Sequence, residues 1–441
     1  CLQNMRQIQT VPMKTGTKTF MQAILGEPGT AFRGIDLSTS AGAPYNCTGM
    51  TKKELCGYYE NGEFIVGSHI SVLEAEVQSC FQMLFRGEIP MWVFTDCVKA
   101  ETLPKAKVAQ GKGRLISAAP LSLVIVTRML FGNFIEWMLD NHLNNGFAGG
   151  DNMEGDDAHY ITMVHKTISA DKDLSIAGDL SAYDSRHSAV VLQMFLECVV
   201  DFINSQKELD HHMRRIYETY CKSMRTTCHL RGAQLHWWWG SLASGHPLTT
   251  IANSVLNLGY FAYSVWRARN FVDNFFSGYF KNVVLRVLGD DNRASVSEEW
   301  APYVSEQICS EGYAVFGHVY TSDTKDGITN HFRSFEETTL LKRFTRYEPI
   351  LGKYIAPLRL DVVLELGLWT RAEGANRVPS EIQTLQNLDT MVRYLSFHDD
   401  ATWKEWIPKF VKMYEHLGWE PKYTSRRMAL LDTYGAPDMQ F

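Results

Sequence analysis

The sequence predicts an α+β protein of about three lobes. Three observations carry this. A chain of 441 residues is long for one core at about 150 residues per domain. Long segments repeat apolar residues at helical spacing. Between them stand short β-branched segments that end in acidic turns, as in "VVLRVLGDDNRASVS" and "LSIAGDLSAYDSR". An apolar share of 45%, with 12% aromatics and no low-complexity tract, is that of a folded chain rather than a disordered one.

Along the chain, residues 1–60 are rich in Gly, Thr, Ser and Pro and read as loops with short elements. Residues 71–86 and 121–143 have helical periodicity. A short strand is predicted over 174–179, then a helix over 188–203 that is apolar nearly all round and therefore buried, with Asp184 or Ser185 as its N-cap. Residues 200–227 read as a second, more polar helical region and 249–267 as a third helix. Segments 283–288 and 294–296 form a hairpin around Gly-Asp-Asp-Asn, and after 343 the pattern is mostly helical, through 360–369, 380–395 and 401–417, with a compositional change near 350.

The nine cysteines include no C-x-x-C pair and read as free thiols of a reducing compartment. Cys228, His229 and His236 lack a fourth ligand at finger spacing, so a zinc site is not expected. The apolar stretch 121–139 is interrupted by Arg128, Asn133 and Glu136, so no membrane span is expected, and no signal peptide precedes Cys1. A net charge of −6 argues against a protein that coats nucleic acid by bulk charge. Residues 97–114 nevertheless hold Lys99, Lys105, Lys107, Lys112 and Arg114 against Glu101 alone, which suits an enclosed phosphate site. This is no P-loop: Ala106 and Gly113 stand where Gly and Ser or Thr are needed.

Adjacent carboxylates in "LGDDN" repel unless a cation joins them, although a hairpin turn in water also accounts for them. Two-metal phosphoryl transfer needs carboxylates from separate elements, and Asp179, at the end of a short strand, is a second source. Asp184 follows across a turn. In "SGHPLTTIANS", Ser244-Gly245 lets a backbone come close, and Thr249 and Asn253 stand four apart on one helical face. Each motif alone also fits a capped helix or a solvated turn.

In their order, "STSAGAPY", "VKAETLPKAKVAQGKGRLI", "GDLSAYDS", "SGHPLTTIANS", "LGDDN", "TSDTK" and "LLKRF" resemble the RNA-dependent RNA polymerases of picornavirus-like positive-strand RNA viruses, over residues 38–344. The resemblance implies a closed right hand of fingers, palm (an antiparallel sheet flanked by helices) and mostly helical thumb. The segments would be 1–135 fingers, in part incomplete, 136–229 palm, 230–242 a fingers insertion, 243–349 palm and 350–441 thumb. It implies that Asp179 and Asp290, assisted by Asp291, ligate two Mg²⁺ ions, with Mn²⁺ able to substitute, and that Lys325 is the general acid for pyrophosphate. Lys99, Lys107, Lys112 and Arg114 would line the nucleotide entry, and Asp184, Thr249 and Asn253 would sense the ribose 2′-hydroxyl. Thr39, Ser40 and Gly42, Ser244 and Gly245, and Lys342 and Arg343 would hold template and primer.

Implied partners are RNA template and primer, nucleoside triphosphates, a viral protein primer and other replication proteins, at replication complexes in the host cytoplasm. Leu288 and Ala43 stand where relatives carry Tyr, and the chain before Ser38 is shorter than theirs. Asn292 leans toward the dicistrovirus and iflavirus branches. The competing readings are a reverse transcriptase-like polymerase and a catalytically impaired RNA-binding scaffold. "HWWWG" at 236–240 is expected to be buried packing between fingers and palm, with base stacking as the alternative.

Overall fold

The computed structural model describes residues 10–101, 103, 105–370 and 378–435. Among the described residues, twelve strands form two four-stranded sheets and two hairpins. The hairpins are β1 (Gly57–Glu60) with β2 (Glu63–Val66), and β11 (Arg346–Glu348) with β12 (Lys353–Ile355). One sheet has the order β4-β3-β6-β7, from β3 (Val93–Val98), β4 (Leu115–Ala118), β6 (Thr226–Arg231) and β7 (Gln234–Trp239). The other has the order β10-β5-β9-β8, from β5 (Ser175–Ser181), β8 (Val283–Leu288), β9 (Asp291–Val296) and β10 (Val319–Ser322), all antiparallel.

This second sheet positions the acidic residues. Helices Thr249–Ala268 and Glu306–Ala314 pack together on one of its faces, and Asp157–Ile168 packs on β8 and β9. The strands are nearly continuously buried because helices cover them, the condition under which apolar runs replace alternation. Their two arginines are buried with partners. Arg286 pairs with Asp151 and donates to the His142 carbonyl (2.6 Å), and Arg293 donates to Thr338 Oγ1 (2.8 Å) and Thr345 Oγ1 (3.1 Å). Each thereby ties a loop to the sheet, since an unpaired buried guanidinium would be costly. One large apolar core runs from Met13 to Tyr320, and a second, between residues 363 and 429, is built by Leu388, Leu395, Trp403, Phe410 and neighbours.

Several expectations are corrected. The helix predicted over 121–143 is Leu121–Asp140; it ends because Asn141 turns its amide back to the Trp137 carbonyl (2.9 Å) and across to Val11. Helix Ala189–Gln206 is capped by Ser188, whose hydroxyl accepts from the Val191 amide, rather than by Asp184 or Ser185. It is also not buried all round: Leu192, Phe195, Leu196 and Val199 belong to the core, while Val190 and Met194 are more than half exposed. The polar helical region over 200–227 is interrupted. Asp210 caps a new helix, His211–Ser223, and residues from Thr226 onward join a sheet because β3 offers them a parallel partner. The second hairpin strand begins at Asp291, not Ala294, so the turn is only Gly289-Asp290, with Gly289 at a φ of +63°.

Trp237 and Trp239 contradict the buried packing expected of "HWWWG": they are 64% and 70% exposed. The strand β7 is an edge strand whose residues alternate between faces. Only Trp238 turns inward, to stack on His229 at 3.9 Å between ring centroids. Among the described residues, two helices, Leu121–Asp140 and Ala189–Gln206, are long and apolar enough to cross a membrane by length and composition; the first is 72% buried within the protein.

Candidate active site

The acidic site assembles from the middle of one sheet. Asp179 lies near the end of β5, opposite Thr321 of β10, and Gly178 beside it pairs with Asn292 of β9. Asp290 occupies the tip of the β8–β9 turn, and Asp291 opens β9 opposite Leu288. One carboxylate oxygen from each of Asp179, Asp290 and Asp291 lies within 4.8 Å of the others. Among the described residues this is the single His, Cys, Asp or Glu group close enough to share a metal ion.

The electrostatics of the set ask for a cation. Asp290 is exposed as a residue, but crowding of its carboxylate by protein and then the charge of Asp179 raise its pKa above the usual carboxylate range. Asp291 is pushed up to about 7 by burial first and by the charges of Asp290 and Asp179 next, with the Leu341 amide and Lys325 opposing. Lys325 answers part of the charge: its Nζ lies 3.3 Å from Asp179 Oδ2, on a residue held at a φ of +62°. An all-oxygen donor set without His or Cys suits hard divalent ions such as Mg²⁺ and Mn²⁺ rather than zinc. These residues therefore fit the metal expected for them.

The turn itself is clamped from below by residues that sequence reasoning missed. Asn257 donates through Nδ2 to the carbonyls of Gly289 (2.9 Å) and Asp290 (3.2 Å). Its Oδ1 accepts from the Tyr313 hydroxyl (2.5 Å) and Asn292 Nδ2 (3.4 Å), and Tyr320 donates to Asn292 Oδ1 (3.2 Å). Ser254 Oγ accepts the Gly289 amide (2.9 Å). Asn253, Ser254 and Asn257 are polar residues among the mostly apolar middle turns of their helix, a signal that could have marked the buried pair below the turn.

Asp184 and Asn253 are brought together, Nδ2 of Asn253 donating to Asp184 Oδ1 at 2.5 Å. Burial raises the Asp184 pKa, against the Asn253 hydrogen bond and then the charge of Arg114. Thr249 is adjacent on the helix, but its hydroxyl donates to the Ala243 carbonyl (2.7 Å). Leu288 is partly buried against the main core.

Lys99 and Arg114 face each other at the loop end of the β3–β4 hairpin, both near Glu101 (3.4 and 3.5 Å). Lys107, on the short helix Lys105–Ala109, and Lys112 are exposed on the loop beyond. Ser244 Oγ accepts the Ser117 amide (3.0 Å), and Gly245 lies so close to β4 that a Cβ there would meet the Ser117 carbonyl at 2.2 Å. Gly42 is packed as tightly: a Cβ would lie 2.3 Å from the Ala119 carbonyl, at a φ of +69°. Thr39 Oγ1 accepts from Lys52 Nζ (2.5 Å), and Ser40 Oγ accepts the Gly42 amide (3.1 Å). Arg343 donates to the Ala356 carbonyl (2.7 Å) and approaches Glu154 (3.4 Å), while Lys342 has a φ of +60° next to Leu341, whose amide reaches Asp291.

An antiparallel sheet holding three convergent carboxylates, with a lysine beside them, could hold divalent cations and, through them, phosphates. The chain belongs to the viral RNA-dependent RNA polymerase family, whose pattern it matches over residues 2–417. It is 28% identical over 86% of its length to the replicase polyprotein of Drosophila C virus, and 26% identical over 90% to that of acute bee paralysis virus. Over 53% of the chain it is 29% identical to the genome polyprotein of human hepatitis A virus. The chain spans about a fifth of the length of the two replicase polyproteins, 22% and 21%. In fold it resembles the sicinivirus 3Dpol RNA-dependent RNA polymerase, at a TM-score of 0.76 and 21% identity, over 96% of this chain and 82% of that one.

Proposed function

We propose that this chain extends an RNA primer on an RNA template, transferring ribonucleoside monophosphates from triphosphates. One observation supports this above the rest: in a chain of this family, Asp179, Asp290 and Asp291 converge from two separate hairpin and strand ends, with Lys325 beside them. Asp179 and Asp290, assisted by Asp291, would hold two Mg²⁺ ions, or Mn²⁺ in their place. Bound there, the ions would supply charge neutralisation at the phosphates and activation of the attacking hydroxyl. The chain's own contribution is positioning, which together with charge neutralisation supplies most of the catalysis in phosphoryl transfer.

In this reading β5 and the clamped turn hold the carboxylates rigid, and Lys325, beside Asp179, gives a proton to the departing pyrophosphate. Lys99 and Arg114, with Lys107 and Lys112 farther out, draw in the triphosphate. Asp184, Thr249 and Asn253 read the ribose 2′-hydroxyl. Ser244-Gly245 and Thr39, Ser40 and Gly42 border the template path, and Lys342 and Arg343 border the primer. Fingers, palm and thumb correspond to the β4-β3-β6-β7 sheet with the N-terminal elements, the acid-bearing sheet with its helices, and the helices after residue 350. A viral protein primer, other replication proteins and a cytoplasmic replication complex belong to the same reading.

The test is primer extension on purified protein with Mg²⁺ or Mn²⁺ and all four ribonucleotides. Asp290→Ala is expected to lower the rate at least ~10³-fold by loss of a ligand. Absence of templated extension by the wild-type chain, or extension that Asp290→Ala leaves unchanged, overturns the reading and favours an RNA-binding scaffold. Preference for deoxyribonucleotides would favour the reverse transcriptase-like alternative.

A further inference from the structure

We propose that His187 is a positioning residue for ribose selection: it locks the side-chain amide of Asn253 in the one orientation that pairs with Asp184. This rests on the polymerase reading above. The assignment follows from donor and acceptor chemistry. An ionised carboxylate only accepts, so the Asn253 atom 2.5 Å from Asp184 Oδ1 is the amide nitrogen. The other end of that amide, Oδ1, then faces His187 Nε2 at 2.9 Å and requires a donor there. His187 must carry its hydrogen on Nε2.

The surroundings hold that tautomer. His187 is 2% exposed, and its Nδ1 is buried without a hydrogen-bond partner, which is tolerable for a bare nitrogen and costlier for an N–H. Burial lowers its pKa to about 4, so the ring is neutral at working pH. Tyr183 (4.4 Å) and His318 (5.1 Å) fix the ring by edge-on contacts, and the His187 carbonyl accepts the Ser241 amide (2.8 Å). Tyr183 also donates to the Asn253 backbone carbonyl (3.1 Å), so the turn after β5 grips the helix at both ends of this residue.

Without the histidine donor, the bond to Asp184 is, among the described residues, the one side-chain hydrogen bond left to hold the amide's orientation. Rotation would set its oxygen against the Asp184 carboxylate and spoil the pair. A 2′-hydroxyl both donates and accepts, so a site that reads it needs its partners in a fixed pattern. The His187–Asn253 bond thus acts on the ribose through Asn253, without touching it.

The full chain, with one RNA template–primer, is assayed for kcat/KM with a ribonucleotide and the matching deoxyribonucleotide. His187→Phe keeps the ring and removes the donor; it is expected to lower the ribo-to-deoxyribo preference about tenfold, by loss of ribonucleotide use alone. His187→Gln, whose Nε2 reaches the same place, is expected to restore most of the preference, and His187→Asn is not. An unchanged preference in His187→Phe, or equal loss with both nucleotides, overturns the proposal. Should His187→Phe fail to fold, the Gln and Asn variants decide it: equal behaviour of these two overturns it. A wild-type chain without Asp290-dependent incorporation overturns the polymerase reading itself and is recognised before any His187 variant is compared.

Discussion

Replacing Asn257 by alanine tests whether the polar clamp below the acidic turn positions Asp290. The side chain is fully buried, so its loss cannot be made good by bulk water within the helix. The Tyr313 hydroxyl keeps a partner, because it also donates to the Asn257 backbone carbonyl (3.0 Å). The carbonyls of Gly289 and Asp290 lie at a partly open turn and can find water. Asn292 Nδ2, fully buried, loses the acceptor it approaches at 3.4 Å. One stranded buried amide together with the vacated volume costs about 2–3 kcal/mol of stability.

The effect on rate should exceed what that loss alone implies at temperatures where the variant stays folded. A turn released from two hydrogen bonds can shift by a fraction of an ångström to an ångström, and displacements of that size cost up to about 10²-fold in rate. Tyr313→Phe provides the control. It removes one donor but leaves Asn257 bonded to both turn carbonyls, so it should cost no more than about 1.5 kcal/mol and lower the rate less than tenfold. The assay pairs denaturant unfolding with single-turnover extension. If Asn257→Ala loses the stated stability yet extends within about threefold of wild type, the clamp supports folding only and the positioning argument is refuted.

Two further outcomes are expected. Gly178→Ala would place a Cβ 2.1 Å from Cζ of Tyr320, a ring that is 1% exposed and cannot retreat. Overpacking of this kind costs about 1–3 kcal/mol; unfolding midpoints would show it, and truncating Tyr320 to Leu in the same chain should recover part of the loss. The third outcome concerns pH. With Mg²⁺ chelated, the Asp291 carboxyl, pushed up to about 7, holds its proton more tightly in the folded protein than in the unfolded chain, where about 3.9 is usual. Between those values the folded state binds more protons, so the contribution of Asp291 to stability is lost as pH rises through the window. The stability of wild type relative to Asp291→Asn should therefore fall from pH 5 to pH 8 under EDTA, and added Mg²⁺ should flatten the difference; a rise would contradict it.

Much of the site was legible because it is local. The turn that carries Asp290 follows from Gly289 between two β-branched segments, and the helix bearing Asn253 from its periodicity, since turn and helix propensities act over a few residues. The exposed Trp237 and Trp239 were misread for a corresponding reason. An aromatic run says nothing of whether its strand lies at a sheet's edge or in its middle, and that depends on which strands pair. The same holds for Thr226 onward, which reads as helix until β3 supplies a partner.

The sequence by itself determined which chemical groups exist and in what order: carboxylates at 179, 290 and 291, a lysine at 325, and the family pattern that runs through nearly the whole chain. Tertiary structure alone decided which of them meet. Asp179 is more than a hundred residues from Asp290 and reaches it only because β5 pairs with β9. The bond between His187 and Asn253, and the clamp of Asn257, Tyr313 and Asn292, likewise join residues whose separation along the chain carries no trace of contact. Buried polar groups must find partners wherever the fold places them, and that requirement is settled in space.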